Sequence, residues 1–501
     1  MIFSSSAAFS FEHRSSEVNA VQRLAADFIN DFKACATPDY ERINSLCRLA
    51  FDSNPLLAQN ASSAMFNGII EPLCDDFSKA GVKICNEVLV HILDFVRHSP
   101  GGDHLDHLLT RCGFLSGYDI LCRYAKIRQA VPIPQNRKKM VNKLLIISRV
   151  TAGADIAITS VMVHRLAKSF PQAEIVLLGP THLETMFPEL DNCRVIPFIY
   201  KNDSCLLDKM TSWPPLFEKV QEEQKGCRPG ETMLFDPDTR MTQLGLLPLL
   251  ADDSTCYFPS RAWTPRPGNL GNLSNLTNQW LNTILGENQE ETPYLILHNE
   301  GHGYNAFCQK LKNRGCNFLI VLNFGVGNDS KKKISGPFEE KLLLKLAREP
   351  QTMLILDRGR GSIENARVDH LLSLANRQGI NTGLLHEEQI PLAEIKFTNG
   401  LLAFTGSLDS LGKMICAADC FIGYDSCGQH LAAATGTPAA IIFAGAPSAR
   451  FIERWSPVAA DIITIIVDRQ QTTSDEGQDR LVSQIKEAVA KIKKRLTRSL
   501  E

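Results

Sequence analysis

Residues 415–457 read ICAADCFIGYDSCGQHLAAATGTPAAIIFAGAPSARFIERWSP, and this stretch limits the fold more than any other. Cys420, Phe421 and Ile422 form a short apolar run that reads as a buried strand. Gly423 breaks it, and residues 424–430 read as a tight polar turn. Residues 431–435 continue as a helix. Gly436 is placed to end that helix in the left-handed conformation, and Pro438 stops it restarting. A second apolar run, 439–444, follows at once. Strand, turn, helix and strand in this order make a βαβ unit, whose strands are parallel. In such sheets ligands bind outside the carboxyl ends of the strands. The turn lies there, and the helix behind it offers free backbone N–H groups to an anion, most simply a diphosphate.

The same residues carry a resemblance. The run Asp425-Ser426-x-x-x-His430-Leu431-Ala432-Ala433-Ala434-x-Gly436-x-Pro438 resembles the donor-binding signature of glycosyltransferase family 9, the heptosyltransferases of lipopolysaccharide synthesis. Cys427 stands where that family has its first Gly, and Gly428 where it has Pro or Leu. Residues 144–155 resemble the family's opening, a strand followed by Arg-x-x-x-x-Gly-Asp and a helix. Asp155 matches its acidic residue, with Gly153-Ala154 in place of the usual x-Gly. Residues 233–240, MLFDPDTR, resemble its strand-to-loop segment in the same half. After the apolar run 318–322, NFGVGNDSKKK resembles its Gly-containing loop. That loop ends in a Lys that meets the donor phosphates, and Lys332 aligns best, with Lys331 and Lys333 as alternative registers. Glu364, after the strand-like run 353–356, matches the acid that hydrogen-bonds the donor ribose.

The resemblance covers about residues 143–470, with gaps around 200–230 and 260–317. It implies an α/β chain of GT-B architecture, two Rossmann-like domains, here preceded by an all-α N-terminal domain. The expected division is 1–135 helical, 140–290 acceptor-side and 291–501 donor-binding with a closing helix near 479–495. The implied donor site is Gly325, Val326, Lys332, Glu364, Asp425, Ser426, Cys427, Gly428 and His430. Asp155 is the implied catalytic base.

Other features bound the chain. Its 501 residues suggest about three domains at roughly 150 residues each. The hydrophobic share of 44% and charged share of 22% are those of a globular protein, and a net charge of −2 implies no nucleic-acid partner. Fifteen cysteines scatter without a CxxC, which reads as reduced thiols in the cytoplasm. The N-terminal residues lack a basic segment followed by an apolar run, so no signal peptide is expected. No apolar stretch approaches the roughly 18 residues of a membrane helix. Peripheral attachment to the inner face of the inner membrane stays open.

In the first region Val21, Leu24, Ala25, Phe28 and Phe32 keep helical spacing, and Ile43, Leu46, Cys47 and Ala50 repeat it. Thr37-Pro38 reads as the cap and first-turn proline of that second helix. Val88, Ile92, Phe95 and Val96 make a third stripe. Residues 131–139, VPIPQNRKK, read as a linker. A chain starting near Asn136 is therefore expected to fold and bind the donor.

Glycosyl transfer needs three things: stabilisation of a leaving diphosphate, a base for the acceptor hydroxyl, and a cleft that holds both substrates. Lys332 and the N–H groups at Ser426, Cys427 and Gly428 serve the first. Asp155 serves the second, although an Asp opening a helix is as a rule an N-cap. Asp425 and His430 equally suit capping roles, and a Lys run is commonly a solvated loop.

Several patterns point elsewhere. Asp236-Pro237-Asp238 looks like a metal-binding DxD, but two parallel halves with a helix-dipole site need no metal. His298-Asn299-Glu300-Gly301-His302 has two histidines four apart, and Gly301 and Gly303 argue against the helix a zinc motif requires. Asp103-His104-Leu105-Asp106-His107 reads as a capped helix start. Cys416, Cys420 and Cys427 match no metal spacing. The expected function is inverting, metal- and cofactor-independent transfer from an ADP-heptose-like donor to a glycan or glycolipid acceptor. The alternative is a non-catalytic sugar-nucleotide-binding or scaffolding protein. A sugar-nucleotide epimerase would need an acid and a base facing the sugar, and none is identified.

Overall fold

A computed structural model describes every residue except 1–4, 35–36, 188–189, 191, 202–203, 265–270, 296–300, 328, 460 and 499–501. Two sheets organise it, and every strand pair in both is parallel. The first holds β1 (Lys143–Ile147), β2 (Glu174–Gly179), β3 (Cys193–Pro197), β4 (Thr232–Asp236) and β5 (Thr255–Tyr257). Its order is β3-β2-β1-β4-β5. The second holds β6 (Phe318–Asn323), β7 (Thr352–Asp357), β8 (Thr382–His386), β9 (Gly400–Thr405), β10 (Cys420–Tyr424), β11 (Ala439–Ala444) and β12 (Ile462–Val467). Its order is β12-β11-β10-β6-β7-β9-β8. Helices alternate with the strands, and the two α/β units follow a helical region, the architecture expected of the GT-B type.

The strands are apolar on both faces because both faces are covered. Leu144 and Ile146 of β1 join a core that also contains Val321 and Phe421 of the second sheet. Leu145 and Ile147, pointing the other way, join the core of the helical region. Phe318, Ile320 and Leu322 of β6 face a third core, closed by the amphipathic helix Asp475–Arg498 through Leu481, Ile485 and Ile492.

Among the described residues the core of the helical region is continuous with that of the first sheet. Val88, Leu89 and Tyr124 belong to one cluster with Leu145, Ile147, Val176 and Tyr257. Polar ties cross the same boundary: Arg123 Nε reaches Asp252 at 2.8 Å, and its Nη1 donates to the Gly245 carbonyl at 3.0 Å. Residues 131–139 are not a free linker. Gln135–Met140 is a short helix, and Ile133 N–H donates to the Ile284 carbonyl at 2.8 Å.

The unit around β10 differs from its expected form at one point. The helix begins at Cys427, so the turn is only Asp425-Ser426. Ser426 is extended at φ −154°, which starts the helix directly after the strand, and Gly428 lies against the Phe421 ring. The far end closes as expected. Thr437 N–H bonds the Ala432 carbonyl and Gly436 N–H bonds that of Ala433, with Gly436 at φ +71°.

Two other expectations are corrected. The second helix is capped by Asp39, which accepts from Glu41 N–H, and not by Thr37. Residues Gly301–Asn313 form a helix despite Gly301 and Gly303. Burial of Tyr304, Phe307, Cys308 and Leu311 outweighs the roughly 1 kcal/mol each glycine costs. His298 lies outside the described residues, and the described residues hold no group of three or more metal-ligating side chains. No described helix is long and apolar enough to cross a membrane.

Candidate functional site

Strand order places the site. The second sheet grows from β6 in both directions, through β7 on one side and through β10 on the other. Its topological switch point is therefore the crevice between the carboxyl ends of β6 and β10. Asn323-Phe324-Gly325 and Tyr424-Asp425-Ser426 lie at that edge. The first sheet has its own switch point between β1 and β4, bounded by Ser148-Arg149-Val150 and Asp236-Pro237-Asp238.

Lys332 reaches the first of these crevices. Its Nζ lies 2.7 Å from Asp425 Oδ2 and 3.3 Å from the Asp425 carbonyl. The same ammonium sits over the Phe451 ring, 5.3 Å from its centroid. Asp329 caps the turn that presents it. Lys331, one register away, is exposed. Asp425 is buried, and its other oxygen accepts from Gln429 Nε2. Ser426 Oγ is buried without a hydrogen-bond partner among the described residues. Burial, together with Lys332, pushes His430 down to about 3, so it is a neutral imidazole, packed edge-on against Trp455 at 6.0 Å. Burial pushes the Cys427 thiol up to about 11, so it is no nucleophile at neutral pH.

The other wall comes from β6 and β7. Asn323 Oδ1 accepts from Gly325 N–H at 2.9 Å, and its Nδ2 donates to Asp357 at 2.7 Å. Glu364, in the first turn of the helix Ser362–Arg377, accepts from Arg360 N–H at 3.1 Å. Its carboxylate lies across Gly325 and Gly359. A Cβ on Gly359 would come within 2.2 Å of Glu364 Oε2, so any other residue there would displace the acid. Burial raises Asp357 to about 6, with Glu364 adding to the effect. Val326 is buried in the apolar cluster beneath the loop.

Asp155 stands at the first sheet's edge and is fully buried. Oδ1 accepts from Arg149 N–H at 2.7 Å and Thr159 Oγ1 at 2.8 Å. Oδ2 accepts from Ser148 Oγ at 2.6 Å and bonds His182 Nε2 at 2.9 Å. Four partners fill the carboxylate, which therefore pins the loop after β1. Val150 in that loop has φ +77°, a strained value for a β-branched residue. A π-helical turn, Asp155–Thr159, carries the acid.

The two halves touch at this level. A Cβ on Gly153 would meet His430 Cδ2 at 3.0 Å and Cys427 Cα at 3.3 Å. Gly153 lets the turn before Asp155 lie directly on the first turn of the Cys427–Ala434 helix. Asp236 and Asp238 are likewise committed. Asp236 accepts from Asp238 N–H, Thr239 N–H and Thr242 Oγ1. Asp238 is clamped by Arg261, Tyr257 and Ser260. Arg149 Nη1 donates to the carbonyls of Pro237 and Asp238.

The helical region also reaches the site, which sequence reasoning missed. Phe77 packs on Phe451 at 6.4 Å and under Arg454 at 5.7 Å, while Arg450 Nη1 donates to the Asp76 carbonyl at 2.7 Å. One turn earlier, Glu71 and Asp75 lie four apart on one helix face, a spacing that could have drawn attention to them.

No protein-family model matches the chain, and no curated protein sequence matches it. Solved structures do. A glycosyltransferase family 9 protein from Veillonella parvula is 12% identical over 71% of this chain and 97% of its own, with TM-score 0.48. The ADP-heptose lipopolysaccharide heptosyltransferase II of E. coli is 14% identical over 70% and 99%, with TM-score 0.46. An E. coli heptosyltransferase solved with ADP is 12% identical over 69% and 99%, with TM-score 0.43. The solved structures this chain is similar to thus include a glycosyltransferase family 9 protein and an ADP-heptose lipopolysaccharide heptosyltransferase.

Proposed function

We propose that the chain is an inverting, metal-independent glycosyltransferase that takes a sugar from a nucleotide-sugar donor. The observation that carries this is the Lys332–Asp425 pair at the β6/β10 switch point, beside the first turn of the Cys427–Ala434 helix. A fixed cation and aligned backbone dipoles at one crevice suit a leaving diphosphate. Ser426 Oγ, buried and unpartnered, is a further donor for it. Glu364, held over Gly325 and Gly359, suits a ribose hydroxyl. By resemblance the donor is ADP-heptose-like and the acceptor a surface glycan such as lipopolysaccharide core, met at the inner face of a membrane from the cytoplasm.

Calorimetry against ADP, UDP, GDP and their sugar conjugates tests the reading. One nucleoside diphosphate should bind, and Lys332→Ala should weaken it by about 1.5–3 kcal/mol, the worth of a charged hydrogen bond. Affinity unchanged by that substitution would overturn the site. Transfer should persist in excess EDTA. Activity restored only by Mn²⁺ would return attention to Asp236 and Asp238, whose oxygens are filled by protein donors.

A non-catalytic nucleotide-sugar-binding protein is the second reading. It is favoured by the full occupation of Asp155 and by the close seating of Gly153 on the Cys427–Ala434 helix. Release of ADP from ADP-heptose by the wild type would decide against it.

A further inference from the structure

We propose that Asp75, contributed by the helical region, is the base that takes the acceptor's proton beside Lys332. This rests on the reading of the cleft as a glycosyl-transfer site.

A base must have a free lone pair. Asp155 is the more engaged carboxylate, with three donors and His182 Nε2 around its two oxygens. Asp75 is the opposite case. Its side chain makes no hydrogen bond and no ion pair within 4 Å among the described residues, and it is only half-buried. The next residues fix its place. Asp76 and Phe77 are docked on the helix Ala449–Trp455, through Arg450 and Phe451. Phe451 carries the Lys332 ammonium on its ring. The helix that bears Asp75 is thereby anchored to the donor half at the cation assigned to the diphosphate.

The charge environment suits the role. Burial is the main influence on Asp75, with Cys74 and Glu71 adding to it while Lys332 and Arg240 oppose it, and the result is a carboxyl raised to about 7. A base with its pKa near the working pH combines a useful ionised fraction with a useful proton affinity. Cys74 adds to the effect beside Cys85, the two sulfurs lying 3.4 Å apart with either able to donate, and that contact acts to lower the Cys74 thiol. Glu71, on the same face, is the poorer candidate. It is exposed, and it faces Asp329 and Lys209 as well as Arg240.

The step balances without a co-reactant. The acceptor oxygen forms a bond to the anomeric carbon as its O–H bond breaks, and the proton passes to Asp75. The bond from the anomeric carbon to the phosphate oxygen breaks, and its electron pair leaves on the diphosphate beside Lys332. Attack from the face opposite the leaving group inverts the centre. The added helical region is then a working part of the active site.

The test uses the full chain, with ADP for binding and ADP-heptose, with water or a lipopolysaccharide-core glycan as acceptor, for turnover. Asp75→Asn should keep ADP affinity within about twofold and lower turnover roughly 10²–10⁴-fold, the usual share of general-base catalysis. The wild-type rate should fall on the acid side with a midpoint near 7, and that limb should vanish in Asp75→Asn. Glu71→Gln should keep the neutral-pH rate and an acid limb, with the limb moved to lower pH because Glu71 no longer raises Asp75. A wild-type rate and acid limb retained in Asp75→Asn would overturn the assignment, as would their loss in Glu71→Gln alone. If no nucleotide binds the wild type, the donor-site reading itself fails. If ADP binds and no donor is ever turned over, the site holds no base and the binding-protein reading stands.

Discussion

Replacing Asp238 with alanine is expected to remove roughly 3–5 kcal/mol of folding stability, the usual result of orphaning a buried ion-pair partner. Asp238 is fully enclosed, and its carboxylate accepts from Arg261 Nε at 2.9 Å, Arg261 Nη2 at 3.0 Å, Ser260 Oγ at 2.9 Å and the Tyr257 hydroxyl. Arg261 is itself buried. Its remaining Nη1 faces only the sulfurs of Cys74 and Cys85, at 3.5 Å each. Without Asp238 the guanidinium is left charged and without its carboxylate. For a domain stable by about 5–15 kcal/mol this is a large fraction of the whole.

The pH dependence follows from the direction of the shift. Burial acts to raise Asp238, but Arg261 and Arg149 outweigh it and hold the carboxyl below its usual range. A depressed folded pKa stabilises above the unfolded value of about 3.9, and that contribution is lost as pH falls through the folded value. The gap between wild type and Asp238→Ala should be full at neutral pH and shrink in acid. Denaturant melts at several pH values measure it. Adding Arg261→Met to Asp238→Ala should recover part of the loss by removing the orphaned charge. An Asp238→Ala protein within about 1 kcal/mol of wild type would show that water replaces the carboxylate.

A chain beginning at Asn136 is expected not to fold as a monomer, contrary to the sequence-based expectation. Removing the helical region would uncover Leu244, Leu246, Leu247, Leu249 and Tyr257, which share its core with Leu145 and Ile147. Monomers rarely expose contiguous apolar patches of more than roughly a few hundred Å², and uncovering these residues together would create a contiguous one. The same cut removes Arg123 from Asp252 and Gly245, and Tyr124 from its edge-on contact with Tyr257 at 5.6 Å. The expected product keeps helical far-ultraviolet dichroism, because the second sheet has its own outer core, but lacks a cooperative melt and aggregates. A monomer with a single sharp transition and undiminished ADP binding would restore the independent-domain picture.

These two expectations rest on contacts between residues far apart in the chain, and that is where sequence reading ran out. Local physics was legible. The runs at 144–147, 318–322, 420–422 and 439–444 are strands, because stretches apolar at every position suit sheets covered on both faces. Gly436 and Pro438 marked the end of a helix that the structure closes there. Errors came where one local signal had a close competitor. Thr37-Pro38 and Asp39 both suit a helix start, and the carboxylate two residues before Glu41 N–H prevailed. Gly301 and Gly303 lower helix propensity by an amount that buried Phe307 and Leu311 exceed.

The candidate site divides along the same line. By itself the sequence determined two parallel α/β units, the crevice after β6 and β10, and the residue types that line it, Lys332, Glu364, Asp425 and Ser426 among them. The units and the crevice follow from hydrophobic period, turn chemistry and the helix dipole, read within about twenty neighbouring residues, whereas Lys332 and Glu364 are implied by the resemblance to glycosyltransferase family 9. Only the tertiary structure decided which charges are free and which are spent. It surrounds Asp155 with Ser148, Arg149, Thr159 and His182, locks Asp238 to Arg261, and docks Phe77, two residues after Asp75, on the Phe451 ring that carries Lys332. The ionisation and reach of a carboxylate depend on the donors and the solvent around it. Those neighbours are assembled by packing, not by order along the chain.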